Sequence, residues 1–294
     1  MKNLLLFFIV LFSSSQVLKA EVPESEKQAL IDLFNSTNGS DWTNKWNLDT
    51  DVTKWYGVKV VNDHVTEINL FRNNLSGVIP SQIGELKNLR SLNLAFNSLT
   101  GELPLELVKL SKLRILKLEM NRIKGELPES IGSLKSLEEF TAFNNFLTGK
   151  IPSSIGNIKN LKVLNLSSNS LNGSIPESLG SLSSLESLGL FENTLEGQIP
   201  SEMGKLSKLK ELVLANNSLG GEVPAEFAQL ASLEVFQIQN NKFQSVKNLE
   251  YMKSSNDYLV FDYDKEELNL DFKDPNFSET RMADTKFEDE GVDE

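Results

Sequence analysis

The chain has 294 residues, no cysteine, and a formal charge of −12 from 41 acidic and 29 basic side chains. Without cysteine there is no disulfide frame, thiolate metal site or thiol nucleophile. The acidic excess argues against nucleic acid or an anionic membrane surface as a partner, since both would repel the chain. Residues 1–20 read as a removable signal: Lys2 supplies the positive start, Leu4 to Phe12 the short apolar run, and Ser13–Ser15 with Ala20 the polar exit and small residue before a cut. That run falls well short of the ~20 residues a spanning helix needs. The expected location is therefore secreted, cell-surface or periplasmic, with no transmembrane anchor.

Residues 21–64 form the next block. Glu24 to Thr37 has Leu30, Leu33 and Phe34 on one helical face, and Ser25 with Gln28 has the S-x-x-Q form of a capping box. Trp42, Trp46 and Trp55 follow, and they are all the tryptophans of the protein. Trp55 to Val60 and His64 to Ile68 read as a hairpin turning at Asn62-Asp63. Large aromatics contribute most by burial, so the three tryptophans are expected to hold this block together. A sugar-stacking role is the alternative.

From Val65 to residue 244 one 24-residue phrase is written eight times, opened by Val65, Leu89, Leu113, Leu137, Leu161, Leu185, Leu209 and Leu233. Apolar residues follow each opener at +3, +5 and +10, and an Asn stands at +8; the first seven copies add Gly at +12, an aliphatic at +14 and Pro at +15. Apolar alternation over +0 to +5 gives a short strand with one face inward. A lone coil has too few inward residues to fold, so stacking must supply the stability, and a fixed period without insertions means a solenoid. The +8 asparagines (Asn73, Asn97, Asn121, Asn145, Asn169, Asn193, Asn217 and Asn241) are read as a structural ladder whose amides satisfy backbone groups of adjacent coils.

The LxxLxLxxNxLxGxIP phrase, as in Leu161 to Pro176, resembles the plant-type leucine-rich repeat family. That resemblance implies an α/β solenoid: a right-handed superhelix of eight repeats with a parallel sheet on its concave face, closed by a helical and hairpin N-terminal cap. The block around Trp55-x-Gly57-Val58 resembles the family's cap signature C-x-W-x-G-V-x-C, with Thr53 and Val60 at the cysteine positions. The lost cysteines favour a setting that does not rely on disulfides, hence a bacterial exported protein. Sequons at Asn35, Asn38, Asn74, Asn165, Asn172, Asn216 and Asn276 would matter on a eukaryotic secretory route.

Copy eight keeps Asn241 and Phe243 but lacks the G-x-I-P half, so the solenoid ends there. Residues 245–273 are expected to cover the last coil, whose open sheet edge would invite association. Residues 274–294 turn acidic and apolar-poor, as a disordered tail does. Asp262-x-Asp264-x-Glu266 hints at calcium but lacks the Gly and distal Glu of an EF-hand loop, so no metal is expected.

The sequence offers no nucleophile elbow, phosphate loop or H-E-x-x-H, and His64 is its single histidine. Glu138 and Glu139 are neighbours expected to point to opposite faces, not across a cleft as a glycosidase needs. No enzyme and no cofactor are therefore expected. The informative positions are those the repeat leaves free, at +1, +2, +4, +6 and +7. Phe71, Phe96, Met120 and Phe143 occupy the last two columns in four successive copies, with Arg72 and Lys117 near them and Phe191 further along. At ~4.8 Å per strand this makes an apolar stripe that fits a protein-binding hot spot; packing around the Asn ladder is the competing reading.

The resemblance to receptor ectodomains and polygalacturonase-inhibiting proteins implies recognition of a protein partner through the concave face; a monomer is expected. Two alternatives remain: an inhibitor of a secreted polysaccharide-degrading enzyme, and a carbohydrate-, surface- or ice-binding solenoid. The irregular +4 column (Asn69, Asn93, Lys117, Thr141, Asn165, Gly189, Val213, Gln237) suits an ice lattice poorly.

Overall fold

The structure is a computed structural model that describes residues 21–245, 247–249, 252 and 259–263. The expected signal (1–20), the acidic tail (274–294), and Asp264 and Glu266 of the calcium hint lie outside the described residues.

Helix α1 (Glu24–Ser36) starts at Pro23, whose φ of −50° is already set for a helix. The Pro23 carbonyl accepts the Glu26 and Lys27 amides at 2.9 and 3.0 Å. Ser25 therefore sits inside the first turn, and the expected capping box does not form; Gln28 Nε2 donates instead to Asp32 Oδ1 at 2.9 Å. The inner face of α1 buries Ala29, Leu30 and Leu33 together with Glu26. That carboxylate accepts the Val65 amide at 2.7 Å and meets His64 Nδ1 at 2.7 Å, which ties the helix to the first coil.

The tryptophans pack as a column. Ring centroids lie 5.2 Å apart for Phe34–Trp42, 4.8 Å for Trp42–Trp46 and 4.9 Å for Trp46–Trp55. All three indoles are buried, and each N–H donates to a backbone carbonyl, of Thr37, Tyr56 and Thr50 in turn. Buried, satisfied rings cannot stack on a sugar, so that alternative is overturned. Gly57 (φ +72°) lets the chain pass Asn69, whose carbonyl oxygen would lie 1.9 Å from an added Cβ. The hairpin turns through Asn62 and Asp63 at φ 49° and 64°, both in the left-handed region that a two-residue hairpin turn requires.

A ten-stranded sheet runs through the coils: Val58–Val61, His64–Asn69, Ser91–Asn93, Ile115–Lys117, Glu139–Thr141, Val163–Asn165, Ser187–Gly189, Glu211–Val213, Val235–Gln237 and Val260–Asp262. The first pair is antiparallel. Every later pair is parallel and in strict register, as Leu92 opposite Leu116 illustrates. The +0, +3 and +5 columns point into the core and are almost fully buried, while +2 and +4 face outward. Shorter parallel pieces such as Phe146–Thr148 and Thr194–Gln198 run along a second flank. The described coil returns are 3-10 turns such as Ser153–Asn157, each following the +15 Pro, so the α-component of the fold is α1 in the cap. The tenth strand lies beside the eighth coil, with Phe261 opposite Phe236 and their rings 5.5 Å apart.

Candidate binding face

At +6 and +7 each coil leaves the long sheet, and every +7 residue adopts a left-handed backbone with φ between 48° and 58°. Non-glycine residues adopt this at a cost of about 1–2 kcal/mol; the turn is held because it aims the +8 asparagine inward. Asn145 is representative. Its Oδ1 accepts the Ile123 amide at 2.9 Å, and its Nδ2 reaches the carbonyls of Leu118 and Ala142 at 3.0 and 3.1 Å. Asn97, Asn121, Asn169, Asn193, Asn217 and Asn241 repeat this pattern. Asn73 instead bonds the cap, accepting from the Asn44 amide at 2.7 Å.

The same turn decides the exposure of the stripe. Phe71 and Met120 are exposed, at 44% and 37%. Phe96, Phe143 and Phe191 are half-buried, so the expectation of fully outward columns needs correction. At +6 the side chain leans onto the neighbouring coil, and Ala95, Ala215 and Glu119 are buried there. Phe71 and Phe96 meet edge to face with centroids 5.1 Å apart, and the Asn144 amide donates to Met120 Sδ at 2.8 Å. Phe191 stands two coils beyond Phe143. Lys117 is ion-paired with Glu139 at 2.9 Å, whereas Arg72 is exposed and in no ion pair among the described residues.

Three features, the first on the adjoining flank and the others on this face, escaped the sequence reading. Phe146 is 59% exposed at +9, where the other copies carry polar residues; that contrast was readable. Glu119 is buried beside the stripe and accepts from Thr141 Oγ1 at 2.5 Å. Burial pushes its carboxyl above the ordinary range, with the Thr141 bond working against that shift. The +1 column is a charge ladder: Glu138 takes Arg114 at 2.5 Å and Lys162 at 3.0 Å, and Glu186 takes Lys210 at 3.0 Å. Hydrogen bonds from Arg114 and then Lys162 hold the Glu138 carboxyl down at about 2. Glu138 and Glu139 thus both end in ion pairs with neighbouring coils.

Comparison with known proteins agrees with this architecture. A leucine-rich repeat region model matches residues 69–188, and a leucine-rich repeat model matches residues 208–230. The chain belongs to the leucine-rich repeat family, of the plant type. Polygalacturonase inhibitor 1 of Arabidopsis thaliana is 32% identical over 94 residues, covering 31% of this chain. The match covers only 28% of that relative's length.

Among solved structures, the ectodomain of the Arabidopsis receptor kinase GASSHO1/SCHENGEN3, in complex with CASPARIAN STRIP INTEGRITY FACTOR 2, is 33% identical with a TM-score of 0.75. That match covers 81% of this chain and 29% of the receptor chain. Pollen Receptor Kinase 3 is 31% identical with a TM-score of 0.56, over 63% of this chain and 91% of that one. A plant ice-binding protein shares the fold at 24% identity and a TM-score of 0.51, over 76% of this chain and 89% of that one. Among the described residues, no helix is long and apolar enough to cross a membrane, and no group of three or more His, Asp or Glu is placed to hold a metal ion.

Proposed function

We propose that this chain is an exported recognition protein that captures a protein or peptide partner on the outer face of its long sheet and acts by binding, not catalysis. The observation that carries the reading is the run of Phe71, Phe96, Met120 and Phe143 over four successive coils, two of them exposed. The repeat needs no apolar group in these columns, and later copies fill them with Ser167, Ser168, Asn216, Gln239 and Asn240. Clustered apolar groups at a protein surface mark interaction sites. The receptor ectodomain similar to this chain is in complex with a partner factor, which supports the same mode here. Arg72, Lys117 and Phe191 are assigned to the rim of the contact. Export as a monomer, with residues 1–20 as the signal, and a bacterial source complete the reading.

Inhibition of a secreted polysaccharide-degrading enzyme is the second reading, favoured by the similarity to a polygalacturonase inhibitor. An ice-binding role has less support. Asn69, Asn93 and Asn165 turn their Oδ1 back onto their own coils, accepting from Phe71, Ala95 and Ser167, so the +4 column presents no flat lattice.

The test is the double variant Phe96→Ala/Phe143→Ala. Partner capture from the native source should fall at least 10-fold, while the thermal midpoint moves by only a few degrees, since both rings are half-buried and lose little area. Undiminished capture would refute the proposal.

A further inference from the structure

The outer columns of the long sheet are electrically graded along the stack. Coils one to three carry four cations (Arg72, Arg90, Arg114, Lys117) against two carboxylates, Glu67 and Glu119. Coils six to eight carry one cation, Lys210, against four carboxylates: Glu186, Glu192, Glu211 and Glu234. Ion pairing sharpens the contrast. Arg114 and Lys117 are taken up by Glu138 and Glu139 of coil four, which leaves Arg72 and Arg90 in no ion pair among the described residues. At the far end Lys210 bonds Glu186. Among the described residues, Glu192 and Glu211 accept hydrogen bonds from hydroxyls alone, of Ser168 at 2.9 Å and Ser187 at 2.8 Å, and a hydroxyl does not neutralise them. The apolar groups Phe71, Phe96 and Met120 lie on the cationic coils, and Phe143 on the coil that follows them.

We propose that the partner presents an extended segment with an acidic end over Arg72 and Arg90, apolar side chains next to it on the phenylalanine stripe, and a basic end over Glu192 and Glu211. The inference rests on the capture reading above and specifies the chemistry of what is captured. From coil one to coil seven are six strand intervals, about 29 Å at ~4.8 Å each, which an extended chain rising ~3.3 Å per residue crosses in about nine residues. Complementary charge at both ends fixes direction along the stack, because the reversed segment sets like charges together. The apolar block is off-centre, so reversal also lifts it from the stripe.

Two ten-residue peptides of identical composition test this with the full chain. One carries its Asp-Glu pair beside a Phe-Leu-Phe block and its Lys-Arg pair at the far end; the other exchanges the two charged pairs. Each is made in both chain directions and titrated by fluorescence anisotropy. The first order should bind at least 10-fold tighter in one chain direction, and added salt should reduce the difference. A variant combining Arg72→Glu, Arg90→Glu, Glu192→Lys and Glu211→Lys should invert the preference, with its thermal midpoint as the control for folding. Equal affinity for the two orders, or binding by neither, overturns the inference. If both orders bind equally and Phe96→Ala/Phe143→Ala abolishes that binding, the capture reading stands alone. If the phenylalanine variant binds as the parent does, the capture reading falls as well.

Discussion

The N-terminal block and the coils that follow it bury their polar groups in different ways. In the block, satisfaction is individual: each tryptophan N–H finds its own carbonyl, and Glu26 alone spans from α1 to His64 and Val65. In the coils it is collective, since one asparagine geometry recurs every 24 residues and each amide serves two coils at once. Loss of a single contact should therefore stay local in the block and spread in the coils, where stability is a sum of nearest-neighbour terms.

The largest effect expected from a single change is at the block's centre. Trp46 touches Phe34, Trp42 and Trp55 and is 5% exposed. Trp46→Ala should cost about 3–5 kcal/mol. The block is bonded to the first coil through Glu26, Asn38, Asn73 and Asn74 and by the pairing of Val58–Val61 with His64–Asn69, so the loss should appear as early unfolding of residues 21–64 together with the first coil. Hydrogen exchange checks this: amides of the block lose protection while those of coils four to seven keep it. Uniform loss across the chain would show that block and coils form one cooperative unit.

A somewhat smaller cost with the opposite distribution is expected from Asn145→Ala in mid-stack. It leaves the Ile123 amide without its partner, while the Leu118 and Ala142 carbonyls each lose one of two asparagine donors and keep Asn121 and Asn169, at about 1–3 kcal/mol for a buried group left unsatisfied. Protection should fall in coils three to five on both sides of the substitution. Confinement of the loss to coil four would break the comparison.

The same contrast explains what could be read in the sequence. Periodicity identified the coils, because a 24-residue spacing leaves only one way to bury +0, +3 and +5 together. It also marked Phe71, Phe96, Met120 and Phe143, by their departure from polar columns. It said nothing of the left-handed backbone at +7: Phe96 and Met120 occupy it without any glycine or asparagine to announce it. That turn sinks Phe96, Phe143 and Phe191 by half and buries Glu119, so exposure depended on a dihedral the repeat pattern does not spell out. In the block, Ser25 and Gln28 have the right spacing for a cap, but Pro23 starts the helix earlier and overrides them. Neither the +1 charge ladder nor the graded face shows in any one copy; both emerge only when residues 24 apart become neighbours.

The finest test of the face compares two glutamates of adjacent coils whose environments act in opposite senses. Glu138, hydrogen-bonded by Arg114 and Lys162, is held down at about 2, against an ordinary 4.5. The unfolded chain therefore takes up this proton before the folded one. The stabilisation is complete above pH 4.5 and is lost as the pH falls towards 2. Glu119 is pushed up by burial, so its folded form favours the proton; that contribution is complete in acid and is lost as the pH rises through the shifted value. Measured by chemical denaturation, Glu138→Gln should be slightly less stable than the parent at pH 7, with the gap closing between pH 4.5 and 2. Glu119→Gln keeps an oxygen for Thr141 without the desolvated charge, so it should be more stable than the parent at pH 7, with the gain shrinking in acid. If both variants shift stability in the same direction at pH 7, the polar neighbourhood of the stripe is not the pair of opposed sites that its hydrogen bonds describe.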